Sequence, residues 1–292
     1  MNTDAQHRAW TTLVSAEALS AALDRDDLVV LDARFALSDP MQGEREYAAA
    51  HIPGARYANL DRDLSDLSRV GHGRHPLPDA AALCATLSRG GIDADTQVVA
   101  YDARDGALAA ARVWCLLRLL GHTRVAVLDG GLARWRQLGL PLTDTLTPPA
   151  TPTAYHADYD AARLIDTDAL GDLRDDNAMR LIDARAGERF RGEVEPIDKA
   201  AGHVPGAVNR PYADNLREDG RFRDPAELAK GFHALIGDLP IENVAVMCGS
   251  GVTACHHLLA MEHAGMPGAK LYADSWSGWI SDPSRPIATG AA

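Results

Sequence analysis

A cysteine followed by a loop of small residues is the most reactive feature of this chain. Residues 244–259 read VAVMCGSGVTACHHLL. An apolar, β-branched run ends at Met247, a glycine-rich loop follows, and a helical pattern starts near Thr253. In open parallel sheets the ligand site lies outside the carboxyl ends of the strands, which is where Cys248 is expected. Gly249 and Gly251 can take φ values closed to other residues, so the N–H groups of Gly249, Ser250, Gly251, Val252 and Thr253 can converge on one centre. The helix N-terminus behind them adds about half a positive charge. Together these features favour a thiolate and hence a nucleophile. A cysteine closing an apolar strand is more often a small buried hydrophobe, but such a residue has no need of a Gly-Ser-Gly loop. Phosphate chemistry of the C-x(5)-R type is disfavoured, because the sixth residue after Cys248 is Ala254 and no arginine is there to grip phosphate.

The elements that must hold this loop occur twice. LVVLDAR (28–34) is matched by LIDAR (181–185), AHIPGA (50–55) by GHVPGA (202–207), TQVVAYD (96–102) by ENVAVMC (242–248), and VLDGGLARW (127–135) by LYADSWSGW (271–279). Four matches in one order indicate a duplicated domain, not a short-period solenoid. Within each half, short apolar runs alternate with helical patterns such as ALAAARVWCLLRLLG (107–121) and TACHHLLAMEHAG (253–265), ended by Gly121 and Gly265. The expected fold is α/β, with a mostly parallel sheet and helices on both faces in each copy. The Thr- and Pro-rich stretch 143–158 reads as an extended linker, dividing the chain into 1–150 and 151–292.

Composition narrows the function classes. With 292 residues, 46% hydrophobic and 24% charged, the chain is expected to be globular, and its length fits two domains. A net charge of −12 with no dense basic run disfavours nucleic acid. Four cysteines (Cys84, Cys115, Cys248, Cys255) without paired CxxC spacing point to neither a disulfide scaffold nor a structural zinc site. The first twenty residues lack the continuous apolar core of a signal peptide, and no apolar run reaches membrane length. A soluble cytoplasmic protein in a reducing compartment is expected.

CGSGVTA, the two HxPGA segments and the duplicated layout resemble the tandem rhodanese-type sulfurtransferases over about residues 11–287. The neutral loop is similar to the 3-mercaptopyruvate branch of that family, whereas the thiosulfate branch typically carries basic residues after the cysteine. The resemblance implies two rhodanese-like domains, the first without a catalytic cysteine because Asp102 stands where Cys248 does. It implies a two-step transfer through a Cys248 persulfide to thioredoxin, glutathione or cyanide, with no metal or organic cofactor. It also implies that Ser250 works with His75 and with Asp61 or Asp63 of LDRDLSDLSRVGHGRHPLP (60–78), His72 being close enough to be confused with His75. An imidazole so placed can move protons near neutral pH.

Arg189 matches the family's first substrate arginine, while Ile197 follows Glu195-Pro196 where that branch has a second. Arg191, Lys199 and Arg210 are the candidate replacements. His51 and His203 of the HxPGA segments read as structural hydrogen-bonders, Cys84, Cys115 and Cys255 as packed thiols, and Trp276 and Trp279 as core or pocket wall. Two further readings stay open: a thiosulfate-using enzyme, and a non-enzymatic sulfur-carrier or interaction module, against which Cys248 and its glycine-rich loop argue.

Overall fold

The computed structural model describes residues 9–175 and 179–291. The first eight residues, where the leader question begins, lie outside the described residues. Packing divides the chain into two compact units. One holds the described residues up to Asn59 together with Asp79–Tyr159, and the other holds Leu60–Pro78 with the described residues from Asp160 onward.

The first unit contains five parallel strands: β1 (Leu13–Val14), β2 (Leu28–Asp32), β3 (Arg56–Tyr57), β4 (Gln97–Tyr101) and β5 (Val125–Leu128), in the order β1-β5-β4-β2-β3. Strands β4 and β5 are buried along their whole length, as expected for continuous β-branched runs inside a parallel sheet. Parallel neighbours need crossovers, and helix Ala109–Leu119, which lies between β4 and β5, is buried at every residue except Arg118. A helix apolar on nearly all sides must sit inside the fold. It ends at Leu119, two residues before Gly121, whose φ of +78° suits a helix end.

The second unit repeats the plan with four parallel strands: β6 (Arg180–Asp183), β7 (Val208–Asn209), β8 (Val244–Met247) and β9 (Lys270–Leu271), in the order β7-β6-β8-β9. Strand β8 is fully buried and leads through the Cys248 loop into helix Ala254–His263. Among the described residues no helix is long and apolar enough to cross a membrane.

The repeated motifs make repeated contacts. Arg34 Nη2 lies 2.6 Å from Asp32 and 2.8 Å from the Ala50 carbonyl, while Arg185 Nη2 lies 2.7 Å from Asp183 and 2.8 Å from the Gly202 carbonyl. His51 stacks on Tyr47 with Nδ1 at 2.7 Å from its carbonyl, and His203 does the same on Phe190 at 2.8 Å. Both histidines are buried, and both exchange a pair of backbone hydrogen bonds with a later extended segment, at Thr143 and Ala288. Trp135 and Trp279 each donate an indole N–H to a proline carbonyl, of Pro141 and Pro286.

The Thr- and Pro-rich stretch forms no helix or strand, but it does not hang free. Thr153 donates its N–H to Ser88 and its hydroxyl to Ile92, and the N–H of Tyr155 donates to Ser88 Oγ at 3.0 Å. Proline removes donors only at its own positions, so Thr153 and Tyr155, just after Pro152, can fasten the strap to the first unit.

Candidate active site

Cys248 begins where β8 ends, and the chain around it is fixed from the neighbouring turn. Its N–H donates to Ser275 Oγ at 3.1 Å, and that hydroxyl donates to the Tyr272 carbonyl at 2.9 Å. The carbonyls of Cys248 and Gly249 accept the N–H groups of Trp276 and Ser277 at 3.0 and 2.9 Å. Ser275 has φ +52°, the one non-glycine on the positive side among the described residues. Such a conformation costs on the order of 1–3 kcal/mol; in return the Ser275 hydroxyl holds the nucleophile's own N–H. Gly251 has φ +76°, and a Cβ there would lie 2.2 Å from the Ala273 carbonyl oxygen, so only glycine fits. Val252 and Thr253 complete the loop, and Thr253 leads into the helix at Ala254.

Ser250 Oγ lies 2.8 Å from His75 Nδ1, both residues being buried. On the other side of the ring, His75 Nε2 lies 3.4 Å from Asp61 Oδ1. An ionised carboxylate there favours the tautomer with the proton on Nε2, which leaves Nδ1 to accept the serine hydroxyl. Burial pushes the Asp61 carboxyl above its ordinary range. Asp63 pairs instead with its neighbour Arg62 at 3.1 Å. His72 is largely exposed, with Nδ1 at 3.3 Å from Asp274. Of the two acids and two histidines, the structure brings Asp61 and His75 to Ser250.

Arg189 does not stand alone. Its Nε and Nη2 reach Glu195 at 2.8–3.1 Å, and Nη2 also reaches Asp198 at 3.0 Å. Although burial pushes Glu195 up, hydrogen bonds from Arg189 and from the N–H groups of Asp198 and Ile197 carry it below its ordinary value. Asp198 takes a second guanidinium from Arg74, whose Nη1 lies 2.5 Å from Oδ1. Of the expected replacements, Arg191 pairs with Glu193 at 2.7 Å, Arg210 lies over Phe232 and donates to Asn215, and Lys199 is exposed. Arg74 and Asp198 were missed. Arg74 sits beside His75 in a segment already suspected, but only tertiary folding shows which way it reaches.

With this geometry in view, comparison with known proteins is decisive about family. The rhodanese-like domain model matches twice, at residues 15–138 and 166–282. The chain belongs to the rhodanese-like family. It is 50% identical over 280 residues to a Pseudomonas aeruginosa protein named as a probable 3-mercaptopyruvate sulfurtransferase, covering 95% of this chain and 98% of that one. It is 33% identical over 271 residues to the thiosulfate sulfurtransferase of Bos taurus, covering 91% and 89%. Among solved structures, the Escherichia coli protein SseA, described as a 3-mercaptopyruvate sulfotransferase, superposes with a TM-score of 0.78 at 32% identity, covering 92% of this chain and all of that one.

In the first rhodanese-like repeat, Asp102 follows β4 as Cys248 follows β8, and the carbonyls of Asp102 and Ala103 accept the N–H groups of Leu132 and Ala133 just as those of Cys248 and Gly249 do from Trp276 and Ser277. Cys84, Cys115 and Cys255 are buried, and Cys255 donates its thiol to the Gly251 carbonyl at 3.2 Å. Trp276 and Trp279 belong to the core cluster of the second unit. Among the described residues no group of three or more His, Cys, Asp or Glu side chains is disposed to hold a metal ion.

Proposed function

We propose that this chain is a sulfurtransferase that takes sulfur from 3-mercaptopyruvate and passes it to a thiol or cyanide through a persulfide on Cys248. The Cys248 thiolate attacks the donor sulfur. The carbon–sulfur bond breaks, and its electron pair passes to the adjacent carbon as the enolate of pyruvate. That carbon must gain a proton, and the donor thiol loses one. Ser250, His75 and Asp61 form a relay that can carry a proton between those two places. In the second step an acceptor thiolate or cyanide attacks the outer sulfur and Cys248 leaves as thiolate, giving a persulfide or thiocyanate. Backbone N–H groups of Gly249 to Thr253 oppose the negative charge on both sulfurs, and Arg189 attracts the donor's carboxylate.

The 2.8 Å contact between Ser250 and His75 carries this reading. Thiosulfate releases sulfite, a stable anion that needs no proton, so an enzyme built for thiosulfate alone has no task for a buried Ser–His–Asp relay. The relative named for mercaptopyruvate at 50% identity points the same way. Thiosulfate remains the second reading, since its sulfonate end is an anion that arginine also accepts and relatives at 33% and 39% identity carry that name. The four free cysteines suit a reducing cytoplasm, where thioredoxin or glutathione can serve as acceptor.

The test is kcat/KM for both donors with cyanide as acceptor, in the wild type, Ser250→Ala and His75→Gln. The wild type is expected to prefer mercaptopyruvate. Loss of the relay is expected to lower kcat with mercaptopyruvate by about 10²–10⁴-fold, with a much smaller effect on thiosulfate. Preference for thiosulfate, with both donors equally affected by the variants, would overturn the reading.

A further inference from the structure

The short helix Ser275–Trp279, just after β9, is fastened to both sides of the Ser250–His75 contact. Toward the nucleophile loop, Ser277 gives its N–H to the Gly249 carbonyl at 2.9 Å. Toward the segment that carries His75, Ser277 Oγ accepts the N–H of Arg74 at 3.0 Å. The two backbones meet there with no side chain between them. A Cβ built on Gly73, at φ +84°, would lie 2.5 Å from the Asp274 carbonyl oxygen and 3.0 Å from Ser277 Oγ. Farther along, Ser281 Oγ donates to the Gly71 carbonyl at 3.2 Å.

Ser277 therefore closes a ring. Gly249 is bonded to Ser250, Ser250 Oγ meets His75 Nδ1 at 2.8 Å, and His75 is bonded to Arg74, whose N–H returns to Ser277. Every other link of that ring is covalent or a hydrogen bond from Ser277, so the Ser250–His75 distance depends on Ser277. Removing the hydroxyl keeps the bond to Gly249 and releases the Arg74 side. Proton transfer needs its heavy atoms about 2.6–3.2 Å apart, so a small drift of His75 is costly.

We propose that Ser277 is a positioning residue for the proton relay, setting His75 against Ser250 through the backbone N–H of Arg74. This role rests on the relay and on mercaptopyruvate as donor, and its test has one arm that needs no turnover. Valine and threonine at 277 fill similar space and differ by the hydroxyl. Ser277→Val and Ser277→Ala are expected to lower kcat for mercaptopyruvate about tenfold, the loss of one hydrogen bond to an N–H left unpaired. KM and thiosulfate turnover are expected to stay within about twofold. Ser277→Thr is expected to recover most of the loss. In a His75→Gln background Ser277→Val is expected to add nothing, because a residue acting through His75 has no effect once the imidazole is gone.

The arm without turnover is nitrogen NMR of the histidine rings. Ser277→Val is expected to shift the His75 ring nitrogens toward their positions in Ser250→Ala, and Ser277→Thr to leave them near wild type. Ser281→Ala loosens the same segment outside the ring and is expected to keep kcat within about twofold. Equal losses in Ser277→Thr and Ser277→Val, a loss as large in Ser281→Ala, or an additive loss with His75→Gln would reveal packing alone and overturn the proposal. Unchanged kcat and unchanged His75 nitrogens in folded Ser277→Val and Ser277→Ala would overturn it too. In a protein that does not use mercaptopyruvate, His75 nitrogens shifted by valine and spared by threonine would leave the positioning role standing and remove the donor reading.

Discussion

The loops after β4 and β8 share one backbone plan and differ in what occupies it. Both are held by two carbonyls that accept N–H groups from the turn after the next strand. In the first, the Asp102 carboxylate accepts the N–H groups of Arg104, Gly106 and Leu108 at 3.1, 2.9 and 3.3 Å. That loop satisfies its donors with its own side chain. In the second, the side chain is a thiol, and Ser250 turns to His75. The comparison separates two properties that are easily merged. An N–H-rich loop at a strand end stabilises negative charge wherever it occurs, but it performs chemistry only where the charge belongs to a group that can leave and return.

The largest effect expected from this contrast is loss of activity. Cys248→Ser should reduce sulfur transfer to background without lowering the melting temperature, and adding Asp102→Cys should not bring turnover back, because Ala103 and Arg104 stand where Gly249 and Ser250 do. Recovery of turnover in the double variant would erase the distinction between the loops. A smaller effect comes from the glycines. Gly251→Ala sets a Cβ 2.2 Å from a carbonyl oxygen at φ +76°, and Gly106→Ala in the other loop sets one 3.0 Å from Val127 Cγ1 at φ +77°. Each should destabilise by about 1–3 kcal/mol or more, yet only Gly251→Ala should also depress kcat/KM. Equal losses of activity would mean the two loops are not functionally separate.

The smallest effect is a drift of stability with pH. Burial, together with the negative charge of Asp105, pushes the Asp102 carboxyl up to about 6, against the opposing pull of its three N–H donors. A carboxyl whose folded value is raised favours folding below its unfolded value, near 4, and loses that contribution as pH rises through about 6. Asp102→Asn should therefore gain most over wild type at pH 7, with the gain shrinking toward pH 4 in denaturant titrations. A constant offset between the two proteins would show that Asp102 does not titrate in this range.

Local features were legible in the sequence and tertiary ones were not. Strands β4, β5 and β8 and the glycine-ended helices follow from runs of apolar residues and a stop signal, so the α/β repeat could be read directly. The choice between Asp61 and Asp63 could not, because two acids two residues apart are equivalent until helix Leu60–Asp63 sets their directions. Arg74 was hidden for a related reason: its partner Asp198 lies 124 residues away. The acids around Arg189 were equally invisible, since a substrate-binding arginine read from a motif carries no sign of the charges that neutralise it.

The segment Leu60–Pro78 belongs by sequence to the first half and by packing to the second. A duplication whose copies each kept their own loops could be cut into two independent proteins. This one cannot, because a fragment beginning at Asp160 would contain the nucleophile and lack Asp61, Arg74 and His75. Synthesis follows the same logic: residues 60–78 leave the ribosome a hundred residues ahead of the unit they complete. The older half of the nascent chain must keep that loop exposed until the younger half arrives to claim it.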